Sequence, residues 1–366
     1  MKRIIFFLIS LIFLIFPLFS HAAEIQPEKR FEGTVISVVE SSKIIEANGN
    51  EHPFQKLKIL GTSGEFKGKE LEIENGSYNQ SGVVNYVIGD KIMLSSQADP
   101  SGKSTILIND YVRRGPLYLL AAIFAVLTIL IGGRRGFSSL LGMVLTFFLL
   151  FAFVLPSISS GQNPVLISMI AAIVIVPVTF ILSHGFNRKT FCAIGATFIV
   201  LVITAVLSQA FINATHLSGF SSDEISFLNT ITQGTVDAKG RLFAGILIAL
   251  LGILEDIAVA QAAVVTQLKK ANSKLGFLEL YKRAMDIGRD HIASMANTLI
   301  LVYAGASLPL LLLFINSPLP FTQVINYEII SEEIVRTLTA SIGLVIAVPI
   351  TTAITAFFAT IKESKE

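Results

Sequence analysis

A chain of 366 residues with 52% hydrophobic and only 15% charged side chains, at a mean hydropathy of +0.70, has the composition of a polytopic membrane protein and not of a soluble domain. A net charge of +2 offers no electrostatic footprint for nucleic acid, and the single cysteine, Cys192 in an apolar segment, excludes a disulfide framework and a thiolate metal cluster. His52, His184, His216 and His291 are scattered, which argues against a histidine metal site, and no cofactor is expected.

The chain opens with Lys2 and Arg3, an apolar run from Ile4 to Phe19, and the small residues Ser20 and Ala22. That is the layout of a secretory signal over residues 1–22, cleaved after Ala22. An uncleaved anchor is the alternative, because the run is only slightly shorter than a spanning helix. On either reading, the next segment lies outside the cytoplasm. Residues 24–112 are polar and alternate short β-type runs (Phe31 to Val39, Leu57 to Leu60, Glu70 to Ile73, Lys91 to Leu94, Thr105 to Ile108) with Gly and Asn turns. They predict a small extracytoplasmic β-barrel of OB or SH3-like type. Its charges are mixed in sign and its aromatics, Phe31, Phe54, Phe66, Tyr78 and Tyr86, stand singly, which suits core packing better than base stacking.

Seven apolar segments come next, at 116–132, 137–155, 164–183, 190–212, 242–265, 292–315 and 335–361. Loop charge orients them. Arg134 and Arg135, Arg188 and Lys189, the run Lys269, Lys270, Lys274, Lys282, Arg283 and Arg289, and the tail 362–366 with Lys362 and Lys365 fall in alternate loops. The positive-inside rule makes these cytoplasmic. The intervening loops are poor in bases, the long one carrying Asp223, Glu224 and Asp237 with Lys239 and Arg241 only at its end. The expectation is a mainly α fold: a bundle of about seven transmembrane helices over 116–361, N-terminal domain outside and C-terminus inside. Arg113 and Arg114, at the outer start of the first segment, are the exception, expected among lipid headgroups.

Glu255 and Asp256 lie near the middle of the fifth segment. A carboxylate at the centre of a spanning helix costs roughly 2.5 to 3.5 kcal/mol, so two in a row must be protonated, paired or facing water. Asp256 shares a helix face with Gly245, Ala249, Gly252, Ala260 and Ala263. Small faces let membrane helices approach closely, so Asp256 is expected to point into the bundle, whereas Glu255 shares its stripe with the bulkier Ile248 and Leu251.

The sixth segment carries a polar stripe: Asp290, Ala293, Ser294, Asn297, Leu301, Ala304 and Gly305, with Thr298 beside it. Asn297 and Gln261 each lie about 12 Å from their basic flanks at 1.5 Å per residue. Either an amide pair lines a route there, or the two are interhelical glue. Arg289, Asp290 and His291 open this helix as a candidate cytoplasmic gate, with a purely topological Arg289 as the alternative. The seventh segment is rich in hydroxyls (Thr337, Thr339, Ser341, Thr351, Thr352, Thr355), which either line a polar path or bond their own preceding turn. The connector 269–288 reads as an amphipathic segment on the inner leaflet or as a plain basic loop.

The stretches GRRG (133–136), GILEDIAVAQ (252–261, after an earlier Gly245 to Leu247) and GRDHIASMANTLILVYAGASLPLLLL (288–313) resemble those of the YibE/F-like multi-pass membrane family, over most of 115–360. The resemblance implies an inner or plasma membrane protein and a topology, without a mechanism. Over residues 244–305 the pattern Gly252, Asp256, Arg283, Asp290, Asn297, Thr298 is also similar to part of the membrane half of RND and SecD/SecF-type permeases. That likeness implies a proton-relay role for Asp256. The two differ in span count, since such a half has five spans and no second half exists here.

No GxxxxGK, GxSxG or HExxH motif is present, and Asp256 has no acidic counterpart in another segment, so an enzyme is not expected. The leading expectation is a secondary transporter or permease component for a small solute or ion, with Asp256, Glu255, Gln261, Asn297 and Thr298 along the route. The rival is a non-transporting assembly or sensory protein whose β-domain binds a protein partner. Both admit a homo-oligomer.

Overall fold

The computed structural model describes residues 29–45, 51–77, 83–98, 104–221, 227, 230 and 237–361. The expected signal segment, Tyr78, Asp223, Glu224 and the tail with Lys362 and Lys365 lie outside the described residues. The chain forms two units, one of residues 21–127 and one built from residue 128 onward.

The first unit is an antiparallel sheet of β1 (Lys29–Ile45), β2 (Glu51–Gly61), β3 (Glu70–Asn75), β4 (Lys91–Ala98) and β5 (Ser104–Tyr111), in the order β3-β2-β1-β4-β5. It is an open half-barrel, with no ladder joining β3 to β5 among the described residues. Alternation sets its inner face: Phe31, Gly33 and Val35 on β1, and Gln55, Leu57, Ile59 and Gly61 on β2, point inward at every second position. Two bulges bend β1, near Val35/Ser37 and Val38/Glu40. Phe31 stacks on Phe66 at 4.5 Å and Tyr86 on Tyr111 at 4.7 Å, both pairs against the core of Leu57, Ile59, Ile92 and Leu94. The aromatics thus serve packing.

Gln55 anchors the irregular stretch before β4. Its Oε1 accepts from the Tyr86 amide at 2.7 Å and its Nε2 donates to the Tyr86 carbonyl at 3.1 Å, all buried. Arg113 and Arg114, the outliers of the charge pattern, are neutralised locally: Arg113 pairs with Asp110, and Arg114 forks onto both oxygens of Glu32. The Arg113 guanidinium holds the exposed Asp110 carboxyl below the usual carboxylate range.

The second unit is helical. Helix α1 (Arg114–Leu149) breaks at Gly133, whose φ of 56° and ψ of −135° lie outside the helical region. A Cβ on Gly136 would collide with the Thr128 carbonyl oxygen, whereas eight residues of straight helix would separate them by about 12 Å. The chain therefore turns sharply at GRRG, where the sequence places the first cytoplasmic loop. A π-helical turn (Leu150–Val154) and α2 (Leu155–Ser159) complete this segment. Next come α3 (Pro164–His184), capped by the Asn163 side chain, and α4 (Arg188–Ala214), capped by Asn187. Helices α5 (Ala238–Ala271), α6 (Phe277–Ala306), α7 (Leu308–Ile315), α8 (Phe321–Val324) and α9 (Glu328–Ile361) complete the unit.

By length and composition, five helical segments among the described residues are apolar enough to cross a membrane. The count is six if α6 and α7, bent by 74° at Ser307, form one span. The expected seven spans differ because the first two lie in one segment broken at Gly133. Part of the connector 269–288 is helical and one-sided, with Lys282, Arg283 and Asp286 exposed. Residues 277–288 are the opening turns of α6, since Leu280, Ala284 and Gly288, one turn apart, are buried.

Helices α4, α5 and α9 pack on one another at the centre, with α3 against α5 and α6 against α9. Thr204 faces Gly343 and Cys192 faces Thr355, so α4 and α9 are antiparallel, while α5 runs with α9 because Leu250 meets Gly343 and Gln261 meets Thr352. Small residues make this approach possible. A Cβ on Gly288 would sit 2.5 Å from Val348 Cγ1 and 3.0 Å from Gln261 Nε2.

These contacts predict two effects on stability. Gly288→Ala overpacks the α5–α6–α9 junction and costs about 1–3 kcal/mol, read as a lowered unfolding temperature of the detergent-solubilised protein. Gln55→Leu leaves the Tyr86 amide and carbonyl unpaired at about 1–3 kcal/mol each, read as lost amide-exchange protection around residue 86.

Candidate functional site

The two carboxylates of α5 lie on its flank toward α3. Glu255 is half-buried and faces the Thr179 hydroxyl of α3, while Asp256 is exposed, with His184 at the end of α3 within electrostatic reach. The expected orientation is thus reversed. Gly245 and Gly252 share the Asp256 face, and a Cβ on either would meet nothing within 4 Å. The covered face of α5 is instead the bulky one, with Leu250, Leu254 and Ile257 fully enclosed. Large side chains make many more contacts when packed against protein, so the bulky stripe turns to α4 and α9 and leaves the small one open.

Gln261 is 1% exposed and sits where three helices meet. Its Nε2 donates to the Ala284 carbonyl on α6 at 3.0 Å and to Thr352 Oγ1 on α9 at 2.7 Å. Asn297 is not its partner. Asn297 and Thr298 lie on the exposed side of α6, where Thr298 Oγ1 donates to the Ser294 carbonyl at 3.0 Å. Asp290 is exposed beside them, His291 is half-buried, and Arg289 pairs with Asp286 at 2.7 Å across two exposed side chains. The structure therefore does not gather the expected residues in one place: Gln261 is interior, the carboxylates flank α3, and the α6 groups face outward.

What the interior does contain is a seam of hydroxyls between α4 and α9. Thr190, Thr197, Thr204 and Ser208 on α4, with Thr351 and Thr355 on α9, are each no more than 3% exposed, and none of their oxygens has a nitrogen or oxygen partner. Antiparallel register through Thr204–Gly343 and Cys192–Thr355 sets Thr197 level with Thr351 and Ser208 level with Thr339. From Thr190 to Ser208 the row is roughly 27 Å long at 1.5 Å per residue, close to the ~30 Å of a hydrocarbon core. Ser157 on α2 and Ser168 on α3 are also buried without a partner, whereas Thr179, Thr339, Ser341 and Thr352 all donate to their own preceding turn. The six of the seam do not.

The two ends of the seam differ. At one, Cys192 lines a cavity of about 500 Å³ with Phe191, Gly195 and Phe358 on its walls and Arg188 among its lining residues. At the other, Ile212, Leu217, Leu242, Ile246, Leu247 and Val335 form a buried apolar cluster across α4, α5 and α9.

Sequence reasoning missed the α4 hydroxyls, although their spacing of seven, seven and four residues is a helical stripe that a wheel would show. It also set His184 aside as scattered; its nearness to Asp256 arises only from α3 running alongside α5. A sequence model described as YibE/F-like protein matches residues 120–361. No curated protein and no solved structure matches.

Proposed function

The chain belongs to the YibE/F-like family, and we propose that it is a membrane permease component, not an enzyme, that passes a small solute or ion along the α4–α9 seam. Glu255 and Asp256 provide the proton or cation coupling. The observation that carries this reading is the row of six buried hydroxyls between α4 and α9, of which Thr355 faces the Cys192 thiol and the other five have no partner. A buried hydroxyl without a partner costs about 1–3 kcal/mol, and valine would fill the same volume without that cost. Hydroxyls are useful there if a hydrated solute, or water itself, moves between them and meets each in turn. By loop charge, the cavity end faces the cytoplasm, the plugged end faces outward, and the plug holds the route closed on that side.

The carboxylates fit as accessories to the seam. A carboxylate is not tolerated against acyl chains, so the open small-residue face around Asp256 is one that another helix or an aqueous groove covers in the membrane. His184 beside it supplies an imidazole, the side chain best suited to proton exchange at physiological pH. The same open face favours a second reading, a protein whose main role is assembly, with Asp256 at the contact between chains.

Reconstitution into liposomes with an imposed pH gradient tests both, with an internal pH dye as the readout. Thr197→Val combined with Thr204→Val should cut proton flux at least tenfold while thermal stability is unchanged or raised; unchanged flux would refute the seam as the route. Asp256→Asn should abolish flux with normal insertion and unchanged oligomeric size. Full flux in that variant discards the coupling role, and loss of the assembled state moves Asp256 to the assembly reading.

A further inference from the structure

Beyond the apolar plug, the first turns of α5 and α9 lie side by side, held by the turn at Ser218 and Gly219. A Cβ on Gly219 would collide with the Ala238 carbonyl oxygen, so the turn rests on the start of α5. From the same turn the Ser218 amide, the Ser218 hydroxyl and, at 2.9 Å, the Gly219 amide all donate to Glu328 Oε1 at the start of α9. That carboxylate is well satisfied. One turn further along each helix, the polar groups are not.

Glu332 is 4% exposed; its Oε2 accepts from the Ser221 hydroxyl, and its Oε1 has no partner. Arg241, at the matching level of α5, has buried Nε and Nη2 atoms, also without partners. The charges that act on Arg241 are Asp237 and Glu332, yet no ion pair joins it to either among the described residues. Arg336 is taken by Glu333 at 2.9 Å. A half-buried cation with two enclosed nitrogens and a buried carboxylate thus stand within electrostatic reach of each other, each with free hydrogen-bonding capacity, while Arg336 also acts on Glu332.

The identity of the free atoms narrows what fits. Nε and Nη2 are the two donors on one edge of the guanidinium, the parallel fork that matches both oxygens of a carboxylate. A single free carboxylate oxygen, in turn, suits an ammonium. A lone anion would leave Glu332 uncompensated and a lone cation would leave Arg241 so, which is costly for buried charges. We propose that Arg241 and Glu332 are the two poles of a binding site for a small zwitterion, an amino-acid-like solute whose carboxylate docks on the Arg241 fork and whose ammonium meets Glu332. The site rests on these two residues and the 218–221 turn, and it stands independently of the seam.

Binding is read without transport. Glycine, β-alanine and 4-aminobutyrate, which differ in charge separation, are titrated calorimetrically into the full-length protein in detergent, with acetate and methylammonium as single-charge controls. At least one zwitterion should bind saturably and at least tenfold more tightly than either control. Arg241→Lys, which keeps the charge and removes the fork, and Glu332→Gln should each weaken that binding at least tenfold. Thr266→Ala, about seven turns from Arg241 along α5, where its hydroxyl donates to the Ala262 carbonyl, should leave it within twofold. No saturable binding by any of the three overturns the proposal, as does acetate binding that is equally tight and insensitive to Glu332→Gln, which marks a simple anion site. Neither failure bears on proton flux through the seam, and loss of flux in the threonine variants does not alter this binding.

Discussion

The amide of Gln261 fixes how the central helices meet. One nitrogen serves two other helices at once, through the Ala284 carbonyl and the Thr352 hydroxyl, and it reaches them because Gly288 leaves room for it. In a hydrocarbon surrounding, a buried amide has no water to fall back on, so this contact holds α5, α6 and α9 at one mutual height. Once that height is set, Leu250 falls against Gly343, and Gly343 in turn receives Thr204. The α4–α9 seam is a consequence of that register: Gly343 on α9 admits Thr204 of α4 closely, and the hydroxyls of both helices are buried along that contact.

The same packing explains where the charges went. Helix α5 has a bulky face and a small face, and only one can be turned to the three-helix centre. The bulky face wins, because Leu250, Leu254 and Ile257 are completely enclosed there, and the small face with Asp256 is left uncovered. Glu255, one residue earlier and about 100° away around the helix, is carried to the boundary with α3, beside Thr179. Two adjacent acids therefore occupy different surroundings with no change in local sequence.

Much of this was legible in the residues. The five strands lie where period-two alternation placed them, and β1 runs longer than the expected Phe31 to Val39 because Glu40, Ser41, Ser42 and Lys43 are exposed polar residues that hydropathy alone does not read as strand. The GRRG turn was legible from its glycines and arginines. The beginning of α6 was not, since Lys282, Arg283, Asp286 and Arg289 mask the one-turn spacing of Leu280, Ala284 and Gly288. Face membership along α5 was also read correctly from spacing, but a helical wheel does not say which face is covered. That depends on α3, α4 and α9, and their side chains are distant in sequence. The seam was invisible for the same reason: a threonine every seventh residue on α4 is ordinary until a second helix with threonines at matching heights lies against it.

Asymmetry between the two ends of the seam bears on what one chain can do in this conformation. At one end, Cys192, which faces Thr355, lines a cavity with Arg188 and Gly195. At the other end, the cluster of Ile212, Leu242, Leu247 and Val335 separates Ser208 from Glu332 and Arg241. Apolar constrictions of this kind exclude water and ions while they remain packed. The cluster is built from the outer turns of α4, α5 and α9, and the Gln261 clamp lies at the opposite end of the same helices. One region of the bundle is thus tied by the Gln261 amide, and the other combines an apolar cluster with the hydrogen bonds of Ser218, Gly219 and Ser221 to Glu328 and Glu332.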